Sequence, residues 1–105
     1  MDYGEIRRRL AHCRFTQHAQ REMETEPLGR INVEEILQAL DLGEIIEEYP
    51  EDKPYSSCLI FGRTAAARPL HVVCAPVPSE EQLIIITTYQ PDPERWEPDF
   101  RRRNR

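Results

Sequence analysis

RPLHVVCAPVPSEEQLIIITTYQPDP, from Arg68 to Pro93, is the stretch that decides the fold. Two apolar runs, PLHVVCA over 69–75 and QLIIITTYQ over 82–90, flank the polar PVPSEE. Their β-branched residues and the Pro- and Ser-bearing break between them read as two antiparallel strands and a turn. SCLIFGR over 57–63 is a third strand, joined to the first by TAAAR, and EIIEEY before Pro50 is a shorter candidate. Together they predict a three- to four-stranded antiparallel meander. The runs are apolar on both faces, so each side of the sheet needs a cover. His71 stands inside the first run between Leu70 and Val72. It shares a face with Val73, and Ile60, Ile84 and Ile86 are its expected neighbours.

The first half of the chain changes period. In NVEEILQALDLG, Val33, Ile36, Leu37 and Leu40 recur at i, i+3, i+4 and i+7, the stripe of an amphipathic helix. Asn32 and Glu35 have capping-box spacing, and Gly43 is placed to end the helix in a left-handed conformation. Thr16 can cap a second helix over Gln17 to about Glu24, which Pro27 and Gly29 terminate. Residues 3–11 suit a short helix, with Ile6 and Leu10 on one side and the arginines on the other. These helices cover one face of the sheet. PDPERWEPDF reads as a closing turn or helix that docks Trp96 and Phe100 on the other. The expected class is α+β, one domain over 1–105 with its core over about 14–101 and a frayed tail, RRRNR.

Composition narrows the function classes. The chain has 105 residues, 39% hydrophobic and 31% charged, which suits a folded domain with a small core. No apolar run approaches the roughly 18 residues of a membrane span, and MDYGEIRRRL lacks the apolar segment of a secretory signal. A cytoplasmic location is the expectation, with no membrane partner. Cys13, Cys58 and Cys74 make no CxxC pair, so neither a disulfide framework nor a structural zinc site is expected; Cys58 and Cys74 read as small buried hydrophobes. The net charge of −5 argues against wholesale coating of nucleic acid. Arginines nonetheless cluster at 7–9 and 101–105, and acids at 44–52, where IIEEYPED reads as a solvated loop or a docking patch for a basic partner. Gly-rich phosphate loops, HExxH and GxSxG are all missing.

Few residues carry chemistry. His71 has two readings, a core histidine satisfied by a partner or a general acid/base. His18 and Glu22, at i, i+4, make either an exposed pair or half of a metal site, and with His71 they give a metal- or small-molecule-binding reading. Arg63 at a strand end and Arg21 beside His18 suit a phosphate or carboxylate. Thr87, Thr88 and Tyr89 offer hydroxyls to a ligand.

TQHAQREM, ILQALDLGEIIEEYPEDKPYSSCLIFGRT, RPLHVVCA and IIITTYQPDPERW resemble a bacterial family catalogued as a domain of unknown function, over roughly residues 14–101. The matching features are Thr16, His18 and Ala19, the step Gly43 to Ile46, the strand Leu70 to Val73, and Thr87 with Tyr89 to Pro93. TEPLGRI over 25–31 departs from a shorter Glu-Arg-Gly-Ile turn. That family in turn resembles the RelE-type fold of small bacterial toxins, whose members are often metal-independent endoribonucleases encoded beside an antitoxin. The resemblance implies RNA and an antitoxin protein as partners and no cofactor or metal. Metal-free RNA cleavage needs a base for the 2′-hydroxyl, an acid for the leaving oxygen and a cation for the phosphate. His18, His71, Arg63 and Tyr89 are the catalytic candidates; Arg21 and Thr87 are the substrate-binding ones. The scheme requires His18 and His71 to meet on one side of the sheet. A non-catalytic interaction module is the alternative.

Overall fold

The computed structural model describes residues 1–104. Along the chain come helix α1 (Tyr3–Arg7), strand β1 (Cys13–Phe15) and helices α2 (Gln17–Thr25) and α3 (Val33–Asp41). Strands β2 (Glu44–Tyr49), β3 (Ser57–Arg63), β4 (Pro69–Val77) and β5 (Gln82–Tyr89) follow. The α+β class stands, but the sheet has five strands in the order β1-β5-β4-β3-β2. β2 to β5 form the expected antiparallel meander. β1 corrects the rest: it pairs parallel to β5, from Cys13 opposite Leu83 to Phe15 opposite Ile85, and makes the sheet mixed. Three residues are too few for alternation to register in a sequence.

The helices cover one face. Ala19 and Met23 of α2, and Ile36, Ala39 and Leu40 of α3, pack with Ile6 against Ile60, Leu70, Val72, Leu83 and Ile85. Cys58 and Cys74, opposite one another on β3 and β4, are fully buried in this layer. α3 begins with both halves of the capping box: Glu35 N–H donates to Asn32 Oδ1 at 2.8 Å, and Asn32 N–H donates to Glu35 Oε1 at 3.0 Å. Gly43 is not left-handed, contrary to expectation; its value is space, since a Cβ there would sit 2.7 Å from Ile60 Cγ2 and 2.8 Å from the Ala39 carbonyl oxygen. Gly62 is tighter still, with a Cβ 1.9 Å from that carbonyl. α3 lies on β3 because both positions are bare.

α1 is shorter than predicted and is followed by a tight turn over Leu10–His12. Arg7 and Arg8 face solvent, but Arg9 does not: it is 1% exposed. Its Nη1 donates to the Glu5 carbonyl at 2.6 Å and to the Glu5 carboxylate at 2.7 Å, and Nη2 donates to Glu81 at 3.2 Å. A buried guanidinium is tolerable here because two carboxylates flank it.

Residues 91–104 cover the other face. They form a looped strap rather than a helix, closed on itself by Trp96 N–H to Asp92 O, Glu97 N–H to Arg102 O and Asn104 N–H to Arg95 O. Trp96 and Phe100 do dock on the sheet. Arg101–Asn104 are not frayed: they fold back, with Arg103 bridging to Trp96. Arg105, the last residue of the expected tail, lies outside the described residues. Among the described residues no helix is long and apolar enough to cross a membrane.

Candidate functional site

Alternation along the strands selects what lies beneath the strap. His71 stands opposite Phe61 on β3 and Tyr89 on β5. Ile60, expected beside it, pairs with Val72 and belongs to the helix layer. Ile86 is the extra residue of a bulge in β5, where Val73 pairs with Thr87 but Cys74 pairs with Ile85. The bulge lets Thr87 and Tyr89 share the His71 face although Ile85 faces the helices.

His71 is fully buried, and both ring nitrogens have partners. Nε2 lies 2.7 Å from the Phe100 carbonyl oxygen, which can only accept, so Nε2 carries the proton. Nδ1, 3.2 Å from Tyr89 Oη, then accepts from the phenol. Trp96 meets the imidazole edge-on with ring centroids 4.3 Å apart, and Phe61 does so at 5.9 Å. Burial pulls the His71 pKa below its usual 6.5; the Phe100 carbonyl and Glu47 oppose the shift, and Arg103 adds to it. Burial likewise raises the pKa of Tyr89, so the phenol keeps its proton at neutral pH.

A ring of charge surrounds this aromatic centre. Arg103 grips Glu47 through Nε at 2.9 Å and Nη2 at 3.0 Å, and Tyr49 Oη donates to the same carboxylate at 2.6 Å. These bonds hold the Glu47 carboxyl below its usual pKa range, the Arg103 hydrogen bond contributing most. Arg101 Nε meets Glu44 at 2.5 Å. Arg103 also lies over Trp96, and Arg101 and Arg63 over Phe61, at 4.7, 5.0 and 5.5 Å from the ring centroids. The acids of β2, expected to be solvated or to await a basic partner, are met within the chain: Glu44 and Glu47 by arginines, Glu48 by the Met1 ammonium. A cleft of about 310 Å³, lined by Tyr89, Gln90, Asp92, Arg95, Trp96 and Arg103, opens beside the strap.

Of the six nominated residues, His71, Tyr89, Thr87 and Arg63 share this face. Arg63 is exposed and donates to the Ala67 carbonyl at 3.0 Å. His18 and Arg21 do not join them. They lie on α2, in the helix layer, where His18 pairs with Glu22 rather than with His71 or Tyr89. His18 is 3.3 Å from Glu22, whose carboxylate accepts the Thr88 backbone N–H at 3.1 Å. Glu22 thus closes the open edge of β5 beyond β1. Among the described residues no three His, Cys, Asp or Glu side chains are grouped to hold a metal. Trp96 and Phe100 were legible as docking aromatics from their spacing. The Phe100 carbonyl that fixes the His71 tautomer, and the Glu47–Arg103 pair across 56 positions, carry no sequence signal.

The fold and this face define a small α+β domain with a mixed sheet, helices on one side and a histidine–tyrosine pair under a strap on the other. Residues 15–90 match the model of DUF4258, a domain of unknown function, and the chain belongs to that family. No curated protein and no solved structure matches the chain. The family match takes in α2, α3 and β2 to β5 and ends at Gln90, so α1 and the strap lie beyond it.

Proposed function

We propose that this protein is a toxin-type, metal-independent endoribonuclease that works on the strap face of its sheet and is held in check by an antitoxin-type protein partner. The observation that carries the reading is the His71–Tyr89 hydrogen bond on a face shared with Phe61, Thr87 and Arg63. Single-stranded RNA is recognised by aromatic stacking and arginine, and cleaved without metal by proton-transfer groups. The resemblance of the sequence motifs, through their family, to RelE-type toxins adds a weaker warrant.

The chemistry closes on these residues. With Nε2 free of Phe100, the ring adopts its Nδ1–H tautomer and donates to Tyr89 Oη. Nε2 takes the 2′-hydroxyl proton as the 2′-oxygen bonds to phosphorus. Tyr89 gives its proton to the departing 5′-oxygen and receives the Nδ1 proton. The ring ends as the Nε2–H tautomer, and the products are a 2′,3′-cyclic phosphate and a 5′-hydroxyl. Arg63 neutralises the phosphate oxygens, and Thr87 hydrogen-bonds the substrate.

The test is cleavage of defined RNAs by the purified full chain in excess EDTA. His71→Gln and Tyr89→Phe should each lower the rate about 100-fold or more while the protein stays folded. Loss on His18→Ala instead would move the site to α2. A second reading, a non-catalytic interaction module, is favoured by one observation: His71 is fully buried with both nitrogens satisfied, as a structural pin would be. Absence of cleavage by folded wild type selects that reading.

A further inference from the structure

A buried histidine cannot meet RNA unless its cover moves, and the cover is built differently from the rest of the fold. The backbone hydrogen bonds of residues 91–104 close within the segment: Arg95 and Trp96 to Asp92, Glu97 to Arg102, Phe100 to Glu97, and Asn104 to Arg95. None of these joins the strap to a strand. Its attachments are side-chain ion pairs to Glu44 and Glu47, arginine–aromatic contacts, the Trp96 indole, and the Phe100 carbonyl on His71. Both ion pairs are partly exposed, with side-chain exposures of 45% and 49% for Arg101–Glu44 and 61% and 27% for Arg103–Glu47. The Arg101–Glu44 pair, exposed on both sides, holds weakly, and the bidentate Arg103–Glu47 pair is the stronger tie that opening must break.

The point of attachment is firm. Gln90 N–H donates to Glu26 at 2.9 Å, and Gln90 Oε1 accepts from Arg68 Nε at 2.7 Å. The next residue, Pro91, has no N–H to lose. The chain is therefore pinned at Gln90, where the family match also ends, and among the described residues no backbone–backbone hydrogen bond ties it to a strand beyond that point.

We propose that residues 91–104 are a displaceable strap that swings about Pro91 as a unit, uncovering His71, Phe61 and Tyr89, and that single-stranded RNA binds only the open form. Closed, Trp96 fills the space over His71 and the Phe100 carbonyl accepts the hydrogen bond from Nε2–H. An unstacked base and the 2′-hydroxyl occupy those places in the open form. The RNA clause rests on the function proposed above; the hinge does not.

The chain supplies its own probes. His71 and the core thiols of Cys58 and Cys74 are all fully buried, but on opposite faces. Strap opening exposes the histidine alone, whereas global unfolding exposes all three. The experiment labels the full chain with diethyl pyrocarbonate and, separately, with iodoacetamide. Each rate is compared with that of the urea-unfolded chain. Local opening should leave His71 about tenfold or more less protected than the two cysteines. Arg101→Gln with Arg103→Gln should raise His71 labelling several-fold and keep His71 about tenfold or more less protected than the cysteines. Trp96, the single tryptophan, should become more quenchable by acrylamide in step. Equal protection of His71 and the cysteines overturns the strap. If His71 opens locally but an oligouridine neither slows its labelling nor binds more tightly to the double variant, the RNA clause is overturned and the hinge stands.

Discussion

Burial settles what His71 does in the closed molecule. The ring is neutral because the imidazolium would be desolvated and would lose the Tyr89 proton as a partner, since a protonated Nδ1 no longer accepts. Its folded pKa lies below the unfolded 6.5, so between the two values the unfolded chain binds more protons and stability rises with pH. The contribution is complete above about 6.5 and is lost as pH falls through the window below it. The urea midpoint of the wild type should therefore drop between pH 7.5 and 5.5, and that of His71→Gln should drop less. Parallel declines would show that another group is responsible. The sequence left His71 with two readings because an apolar neighbourhood suits both. What separates them, a carbonyl acceptor from Phe100, comes from 29 positions away.

Elements were legible where their determinants are local. Asn32 and Glu35 sit three residues apart and close on each other as the capping box requires. The hairpin of β4 and β5 follows from the alternation on either side of one turn. β1 was not legible, because its identity as a strand comes from β5, about 70 residues later. Gly62 reads as an ordinary strand glycine until Ala39 is known to lie against it. The TEPLGRI segment, which departs from the family pattern, is likewise explained from a distance. Gly29 there has a φ of 119°, and its carbonyl and that of Arg30 both accept from Arg68, which also pairs with Glu35 at 3.1 Å. One arginine thus fixes the turn between α2 and α3 to the start of β4. Two substitutions separate local from tertiary determinants. Asn32→Ala should cost about 1 kcal/mol, the usual worth of an N-cap. Gly62→Ala should cost more, about 2 kcal/mol or above, because backbone rather than a flexible side chain blocks the added methyl. Urea denaturation reads both. A smaller loss for Gly62→Ala would mean that α3 shifts away from β3 without difficulty.

The whole molecule is a sheet with two covers of unequal attachment, both reaching beyond the residues matched by the family. On one side α1 adds Ile6 to the helix layer with no exposed surface, and Tyr3 Oη reaches the Leu40 carbonyl at 2.5 Å. On the other side the strap contributes Trp96 and a rim of arginines. The site's two-sided organisation was legible as a sheet apolar on both faces; which cover is integral was not, since both segments are short, charged and arginine-rich. Core burial is the stronger term. Removing side-chain atoms from a fully packed isoleucine costs roughly 2–5 kcal/mol, whereas an exposed ion pair contributes about 1 kcal/mol or less. Ile6→Ala should therefore lower the unfolding free energy by that larger amount. Arg101→Gln with Arg103→Gln should change it by no more than about 2 kcal/mol for the two pairs together. The urea slope should fall little in either variant if the sheet and helices unfold as one unit. A loss in the double arginine variant as large as that of Ile6→Ala would make the strap part of the cooperative core. The face beneath it would then be an interior, and catalysis there would have no route in.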